Sequence, residues 1–320
     1  MNNKIFIGIP VMHDLDIYYT LENCLKNADN PENIHFGVYA YIHTEAWREK
    51  MVDLCEATPN MSLATVPLTY ENLGIGKGRK GAGSFYQGQE YVMSIDSHTK
   101  FVEGWDTLLK GAVNKLEGRK AILTGMAGWY KDDKWIEGRE KLVYPRFDKE
   151  KRGYYWYNPG YSSVHVPEYV DTFDYDSNDE FAECILWNGN FSFSKHNFFA
   201  DITDIPFFPE NWIQTIELRY LGYELFTPLF NQPSIGHLYQ PMDSYYGHSK
   251  VKDSKRYSLD DFLTEEEIDK YKLEASERFV NYCRTNPEKV KAFENYIGMP
   301  CYIRAYYPQH IEVRKWVKDQ

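Results

Sequence analysis

The segment 91–98 carries the clearest candidate chemistry of the chain, because an apolar strand runs directly into two polar side chains. Asp96 and His98 stand two residues apart, immediately after the run Tyr91-Val92-Met93-Ser94-Ile95. Open α/β sheets bind ligands beyond the carboxyl ends of their strands, which is where these two residues fall. A carboxylate and an imidazole suit Mn²⁺ or a similar divalent ion, which can in turn hold a diphosphate. The spacing alone also permits a strand-terminal Asp that caps the next turn, beside an exposed His98.

The elements that must position these residues alternate between strand and helix along the first third of the chain. A continuous apolar run over 4–11 predicts a strand covered on both faces, and Asp14 and Asp16 offer N-caps to a following helix. Further strands are predicted at 34–42, 62–68, 90–96 and 121–125, and further helices at 44–55 and 105–116. This alternation predicts an α/β fold with a mainly parallel central sheet and helices on both faces.

The remainder of the chain is less regular until its C-terminal part. Residues 130–181 are rich in aromatic residues, Gly and Pro, which predicts a long loop that is either functional or a structural insertion. Thr264-Glu265-Glu266-Glu267 is a capping box and predicts the start of a helix. We therefore predict a sheet domain over 1–250 and a helical C-terminal appendage over 251–320 that packs on it.

The composition excludes several classes of protein. The 320 residues are 43% hydrophobic and 26% charged, which excludes a disordered or collagen-like chain. The longest apolar run falls far short of the ~20 residues that a membrane span needs, and five scattered cysteines without a CxxC pair argue against a disulfide framework or a zinc ribbon. These features predict a cytoplasmic protein, or one in the host cytoplasm if viral, without a membrane partner. The net charge of −11 opposes nonspecific nucleic-acid binding but allows a local basic groove.

A longer stretch around Asp96 resembles the hallmark of a known enzyme family. Residues 88–106 read GQEYVMSIDSHTKFVEGWD, in which IDSH is followed by F-x-x-GWD. This string closely resembles a cytosolic glycosyltransferase family that includes the enzymes that attach N-acetylglucosamine to hydroxyproline. The resemblance covers roughly residues 4–245, because further motifs occur in the family's order. These are Ile9-Pro10-Val11-Met12-His13-Asp14, Arg79, Leu186-Trp187-Asn188-Gly189-Asn190-Phe191, Gly222-Tyr223-Glu224-Leu225-Phe226-Thr227-Pro228 and Gly236-His237-Leu238-Tyr239.

The resemblance implies a GT-A fold, a UDP-sugar donor, a divalent metal (Mn²⁺ or Mg²⁺) and retention of the anomeric configuration. Asp96 and His98 would be metal ligands and His237 the third, so that Asp96 would take part in catalysis. Asp14 would contact the uridine, and Arg79 the pyrophosphate or the sugar. Such charges would neutralise the departing UDP. The residues implied to contact the donor are Pro10, Asp14, Arg79, Asp96 and Trp187.

The chain departs from the family pattern on its expected acceptor side, at 188–190 and 209–211. Glu210 keeps the first acid of a family pair, whereas Asn211 replaces the second. Glu210 is therefore predicted to orient the acceptor, against the alternative of an acid that favours a helix N-terminus.

The acceptor itself stays open between two macromolecular hydroxyls. One is hydroxyproline of a cytosolic protein, and the other is a hydroxymethylated DNA base such as hydroxymethylcytosine, as in bacteriophage glycosyltransferases. The basic clusters 77–80 and 250–256 could follow a phosphate backbone, although solvated loop charge is the commoner explanation. The alternative to an enzyme is a catalytically inactive module of the same fold that binds a sugar or a nucleic acid.

One further motif points elsewhere. Residues 76–81 satisfy GxGxxG, but they follow the third predicted strand after a loop. A dinucleotide-binding fingerprint should follow the first strand directly, so a nicotinamide enzyme is not predicted.

Overall fold

The computed structural model describes residues 2–131, 133–136, 142–145, 169–171, 179–204, 210–238 and 262–297. Much of the predicted loop 130–181, the basic cluster 250–256 and the predicted domain boundary at 250 lie outside these residues. Within them, no helix is both long and apolar enough to cross a bilayer.

The first part of the chain folds into the predicted alternation of strands and helices. The strands and helices up to residue 124 are β1 (Ile5–Val11), α1 (Asp16–Lys26), β2 (Ile34–Ile42), α2 (Glu45–Ala57), β3 (Met61–Pro67), α3 (Ile75–Gly83), β4 (Tyr91–Ile95), β5 (Thr99–Phe101), α4 (Trp105–Asn114) and β6 (Ala121–Thr124). Those that follow are β7 (Gly128–Lys131), β8 (Lys134–Trp135), β9 (Val143–Pro145), β10 (Tyr169–Asp171), β11 (Phe181–Glu183), β12 (Phe191–Ser194), α5 (Glu210–Tyr220), β13 (Glu224–Pro228), β14 (Ile235–His237), α6 (Glu265–Thr285) and α7 (Pro287–Ile297).

The central sheet has eight strands in the order β11-β13-β6-β12-β4-β1-β2-β3. Strands β4, β1, β2 and β3 are parallel neighbours, and β13 is parallel to β6, as the strand–helix alternation predicts. The strand β12, absent from the sequence prediction, inserts antiparallel between β4 and β6. A smaller sheet of β5, β14, β7 and β8 lies beyond the end of β4 and carries His237 on β14.

The two faces of the sheet form two cores, because successive strand residues point to opposite faces. Ile5, Ile7 and Ile9 of β1 pack with α1, α2 and α4, whereas Phe6 packs with Phe199 and with residues of α5 on the other face. All of these side chains are buried. The sheet is therefore covered on both faces, which leaves its strand ends as the positions open to a ligand.

The Gly-rich segment 75–83, for which the sequence pattern predicts neither a strand nor a helix, is the helix α3. Glycine lowers helix propensity, so local sequence argues against this helix. Packing of this segment on the sheet requires glycine in spite of the low helix propensity. A Cβ at Gly81 would lie 2.2 Å from the ring of Tyr39, and one at Gly78 would lie 2.9 Å from Pro10. The glycines let α3 pack close on β1 and β2, so the GxGxxG string is helix packing rather than a dinucleotide turn.

The prediction that Asp14 and Asp16 cap α1 is wrong in its detail. The residue at the N-cap position is Leu15, which makes no side-chain capping bond. Asp14 does accept a hydrogen bond from the backbone N–H of Asp16 at 3.0 Å, but its other oxygen points to residues 97 and 98. Because Asp14 precedes the N-cap residue Leu15 by one position, its carboxylate can also reach Ser97 and His98, which follow β4.

The C-terminal helices pack against α5. The predicted capping box is present, since the Thr264 side chain accepts from the Glu267 N–H and the Glu267 carboxylate accepts from the Thr264 N–H. Phe279 and Phe293 are buried beside Trp212, which places α6 and α7 against the second face of the fold. The division into a sheet domain over 1–250 and an appendage over 251–320 stays a prediction.

The Gly-Trp-Asp triplet 104–106 acts as a structural clasp between α1 and α4. The fully buried Asp106 carboxylate accepts from the backbone N–H groups of Asp29 and Asn30 at 2.8 and 3.3 Å. Trp105 donates its indole N–H to the carbonyl of Cys24 at 2.9 Å. Gly104 has a φ of +69°, which favours glycine. The motif at 88–106, which carries the family resemblance, thus includes residues that stabilise the fold by joining α1 to α4.

We expect Asp106→Ala to lower the free energy of unfolding by about 2–3 kcal/mol, because it leaves buried N–H groups without an acceptor. Urea denaturation of the variant measures this loss. The control is Glu103→Ala, which removes an exposed acid from the same turn. Equal stability of the two variants would contradict the clasp.

Candidate active site

Three potential metal ligands converge where β4 ends. Asp96, His98 and His237 each offer one ligand atom, and these atoms all lie within 4.8 Å of one another. The Nε2 of His237 is 3.0 Å from the Oδ2 of Asp96 and 2.9 Å from the Nε2 of His98. His237 comes from β14, which pairs antiparallel with β5 directly after His98. One carboxylate and two imidazoles are a donor set that suits Mn²⁺ or a similar divalent ion.

Arg79 joins this cluster to Glu210. Its Nη2 donates to Asp96 Oδ1 at 2.8 Å, and its Nε donates to Glu210 Oε1 at 2.9 Å. Its Nη1 donates to the Ser94 hydroxyl at 3.0 Å, so the guanidinium is held on three sides. Arg79 is only 3% exposed and Glu210 only 5%. In this structure the guanidinium neutralises the buried Glu210 carboxylate and the partly buried Asp96 carboxylate.

The charges of this network shift its pKa values in opposite directions. Burial alone would raise the pKa of Asp96, but the charge of Arg79 and the hydrogen bond from His237 outweigh it and hold that pKa below its usual range. Burial raises the pKa of Glu210, and the nearby Asp96 charge adds to the rise against the opposing effect of Arg79. Two carboxyls that share one guanidinium therefore differ in how readily they take a proton.

Asp14 lies beside the cluster at the end of β1. Its Oδ2 accepts from His98 Nδ1 at 2.6 Å and from the Ser97 hydroxyl at 2.7 Å. The resemblance implies a uridine contact for Asp14, and the structure places its carboxylate on His98. Both oxygens of this carboxylate thus have partners within the protein, and the uridine contact stays a prediction.

Trp187 and Pro10 flank Arg79 and α3 respectively. The Arg79 guanidinium carbon lies 5.8 Å from the centre of the Trp187 ring, which is fully buried. Pro10 is buried in β1 against Gly78. Both residues therefore support Arg79 or its helix, and a donor contact for either remains a prediction.

Sequence reasoning missed two residues that shape the site. Gly189 lies so close to Arg79 that a Cβ there would be 2.4 Å from the guanidinium carbon. Ser94 anchors the same guanidinium and donates its hydroxyl proton to the carbonyl of Gly189 at 3.1 Å. The departure from the family pattern at 188–190 was the available signal.

Aromatic and imidazole rings gather at the neighbouring ends of β1 and β2. His13 stacks on Trp47 with ring centres 4.3 Å apart, and His43 lies within hydrogen-bond distance of His13 at 3.0 Å. Burial, with the neighbouring His43 and Lys50, lowers the pKa of His13 to about 4, so this ring is neutral near pH 7. In the segment 9–14, His13 stands where the motif of the resembled family has Arg. Its neutral ring offers a flat, uncharged surface beside Asp14.

The family model for glycosyltransferase (GlcNAc) matches residues 66–293, which include Asp96, His98, Glu210 and His237. The chain belongs to this glycosyltransferase family. No curated protein sequence matches it. Membership confirms the broad family prediction.

Two solved structures are similar to this chain in fold. GalNAc-T7 with UDP, GalNAc and Mn²⁺ superposes with a TM-score of 0.52 at 11% identity, over 75% of this chain and 44% of that chain. TarS 1-349 of S. aureus in complex with UDP-GlcNAc superposes with a TM-score of 0.50 at 11% identity, over 92% of this chain and 71% of that chain. The chain thus spans less than half the length of the GalNAc-T7 structure. These likenesses confirm the predicted GT-A fold.

We expect Gly189→Ala to displace the Arg79 guanidinium, because the new methyl group occupies its position. The pairing of Arg79 with Asp96 and Glu210 should weaken, with a loss of roughly 1–3 kcal/mol in unfolding free energy. Chemical denaturation checks the loss. Gly111→Ala is the control, since a Cβ at Gly111 meets no atom within 4 Å. Two variants of equal stability would show that Arg79 has room to move.

Proposed function

We propose that this protein is a metal-dependent, retaining glycosyltransferase that moves a sugar from a UDP-sugar to a hydroxyl of a macromolecular acceptor. The observation that carries the proposal is the convergence of Asp96, His98 and His237 at the strand ends of a chain that belongs to the glycosyltransferase (GlcNAc) family. The donor class is supported by the UDP-sugar and UDP in the two similar structures, and the metal class by the Mn²⁺ in one of them.

The three ligands fit a divalent ion, because their atoms face a common point and mix one anionic oxygen with two imidazole nitrogens. When bound, such an ion supplies positive charge against the diphosphate of the leaving group. Asp96 contributes its carboxylate in ionised form, since the pKa of this group is held low by Arg79 and His237 against its burial. Asp96, His98 and His237 together would hold the ion, and through it the diphosphate of the donor, at the carboxyl edge of the sheet.

Arg79 fixes the direction in which Asp96 presents its oxygens. It engages Oδ1 and leaves Oδ2 toward the two imidazoles. On this proposal the role of Arg79 is to orient the metal-binding carboxylate and to compensate Glu210. The direct phosphate contact implied by the family resemblance would require the guanidinium to leave one of these partners.

Glu210 is proposed to orient the acceptor hydroxyl. Its Oε1 accepts from Arg79 Nε at 2.9 Å, and the same guanidinium binds Asp96, which holds the Glu210 carboxylate beside the candidate metal ligands. Burial raises the pKa of this carboxyl, and pairing with Arg79 opposes that rise. Retention rests on the family resemblance, and NMR of the anomeric proton of the product tests it directly.

The acceptor is proposed to be a macromolecular hydroxyl, with hydroxyproline and hydroxymethylcytosine as the two candidates. The net charge of −11 favours a protein over a nucleic acid. The exposed Lys80 and the partly buried Lys77, whose ammonium donates to the Glu71 carbonyl, lie on α3 beside Arg79, and their charges favour DNA. Because each acceptor has one observation in its favour, the assay uses both.

A thermal-shift series of UDP-sugars with and without Mn²⁺ tests the proposal, followed by mass spectrometry with the best donor. The acceptors are a hydroxyproline peptide and a duplex with hydroxymethylcytosine. We expect a metal-dependent rise in Tm with one donor and a mass gain of one sugar on one acceptor. Absence of any shift would overturn the enzyme proposal. A shift with no transfer to a broad set of hydroxyl acceptors would favour the inactive binding module.

A further inference from the structure

Asp14 holds His98 through its Nδ1 atom. The Asp14 Oδ2 to His98 Nδ1 distance is 2.6 Å, in the range of a strong charge-assisted hydrogen bond. An ionised carboxylate only accepts, so Nδ1 of His98 carries the proton. The Nε2 atom of a neutral His98 ring then has a free electron pair, and this atom faces Nε2 of His237 at 2.9 Å.

The carboxylate itself is fixed at both oxygens. Oδ1 accepts from the first backbone N–H of α1, at Asp16, and Oδ2 also accepts from the Ser97 hydroxyl at 2.7 Å. Asp14 is 5% exposed, so little water competes for these bonds. The carboxylate therefore has one orientation, and it passes that orientation to the His98 ring.

The backbone of His98 is held from the same helix. The buried Thr20 hydroxyl donates toward the carbonyls of Ser97 and Thr99, at 2.8 and 3.1 Å, and accepts from the Thr99 N–H at 2.9 Å. These contacts clamp both sides of His98. Helix α1 thus positions the ring through Asp14 just before it and the backbone through Thr20 within it.

We propose that Asp14 is a positioning residue for the metal site, which locks His98 as the Nδ1–H tautomer with Nε2 turned to Asp96 and His237. The proposal rests on the proposed function, since it requires that the three residues bind a metal ion. It adds to the uridine contact a role that does not involve the nucleotide. Substitution of a carboxylate that orients a metal-binding imidazole in this way typically weakens metal binding by about 10–100-fold.

The test measures Mn²⁺ binding alone, without nucleotide, by electron paramagnetic resonance. We expect Asp14→Asn and Asp14→Ala to weaken Mn²⁺ binding about 10–100-fold. Asp16→Asn is the matched control, because it removes an acidic charge from the same helix start and retains the backbone N–H that Asp14 accepts. A variant at Asp14 that binds Mn²⁺ as the unaltered protein does, and loses only UDP affinity, would overturn the proposal.

A second measurement separates this inference from the proposed function. Nitrogen-15 NMR of the His98 ring in the metal-free protein reports which nitrogen carries the proton. We expect Nδ1–H in the unaltered protein and a loss of that preference in Asp14→Ala. If the unaltered protein binds no metal and yet shows Nδ1–H, the metal-dependent function fails while the orienting contact holds. An Nε2–H tautomer in the unaltered protein would overturn the inference itself.

Discussion

Asp96→Asn should reduce transfer from the preferred UDP-sugar by about 10³-fold and abolish the metal-dependent part of the thermal shift. The substitution keeps an oxygen that can accept from Arg79 and removes the negative charge. Because Asp96 is the only carboxylate in the cluster of three ligands, its charge is the part that a divalent ion needs most. Steady-state kinetics with saturating donor measures the effect.

The matched control for Asp96→Asn is Glu103→Gln, an exposed acid that follows β5. It should retain full activity and the full Mn²⁺ response. An Asp96→Asn variant with unchanged turnover and unchanged UDP affinity would show that the carboxylate binds no catalytic metal. The cluster of Asp96, His98 and His237 would then be a hydrogen-bonded structural group.

Arg79→Met should lower the unfolding free energy by about 3–5 kcal/mol, because it removes the positive charge that compensates the buried Glu210 and the partly buried Asp96. The pKa of Glu210, already raised by burial, should rise further above its unfolded value in this variant, and the pKa of Asp96 should rise from its lowered position. A folded state that binds more protons than the unfolded state loses stability as the pH rises. The deficit should therefore be larger near about pH 8 than near about pH 5.

A double variant separates charge from packing. In Arg79→Met with Glu210→Gln, one of the two uncompensated charges is gone, and we expect recovery of about 1–3 kcal/mol relative to the single Arg79 variant. Urea denaturation at both pH values gives the unfolding free energies of the unaltered protein and of the single and double variants. A pH-independent deficit with no recovery would show that Arg79 contributes through shape alone, by filling the space beside Trp187 and Gly189.

The strand positions were predictable because burial leaves a strong local pattern. β1 is an uninterrupted apolar run and β2 is rich in β-branched and aromatic residues, and the structure places them at Ile5–Val11 and Ile34–Ile42, close to the predicted 4–11 and 34–42. The helix α6 was equally predictable, since its capping box is written in four consecutive residues. The strand β12 was not, because it has only four residues and its place depends on partners from β4 and β6.

The helix α3 shows where local pattern misleads. Its glycines indicate a loop when each residue is considered alone. Only the tertiary structure explains these glycines, because the side chains of Tyr39 and Pro10 pack against α3 and leave no room for a Cβ. A residue type selected for close packing against a distant strand cannot be distinguished in the sequence from one selected for flexibility.

By itself, the sequence determined most of the strands and helices up to residue 125, the family, and the types of the candidate ligands Asp96, His98 and His237. Parallel strands bring their carboxyl ends to one edge, which is why a polar pair after an apolar strand could be assigned to a site at all. Tertiary structure alone decided the partners of these groups. A guanidinium pairs as well with a carboxylate as with a phosphate, so nothing in the string around Arg79 could show that it joins Asp96 to Glu210. That choice depends on burial and on the space at Gly189, which arise only when segments more than a hundred residues apart meet.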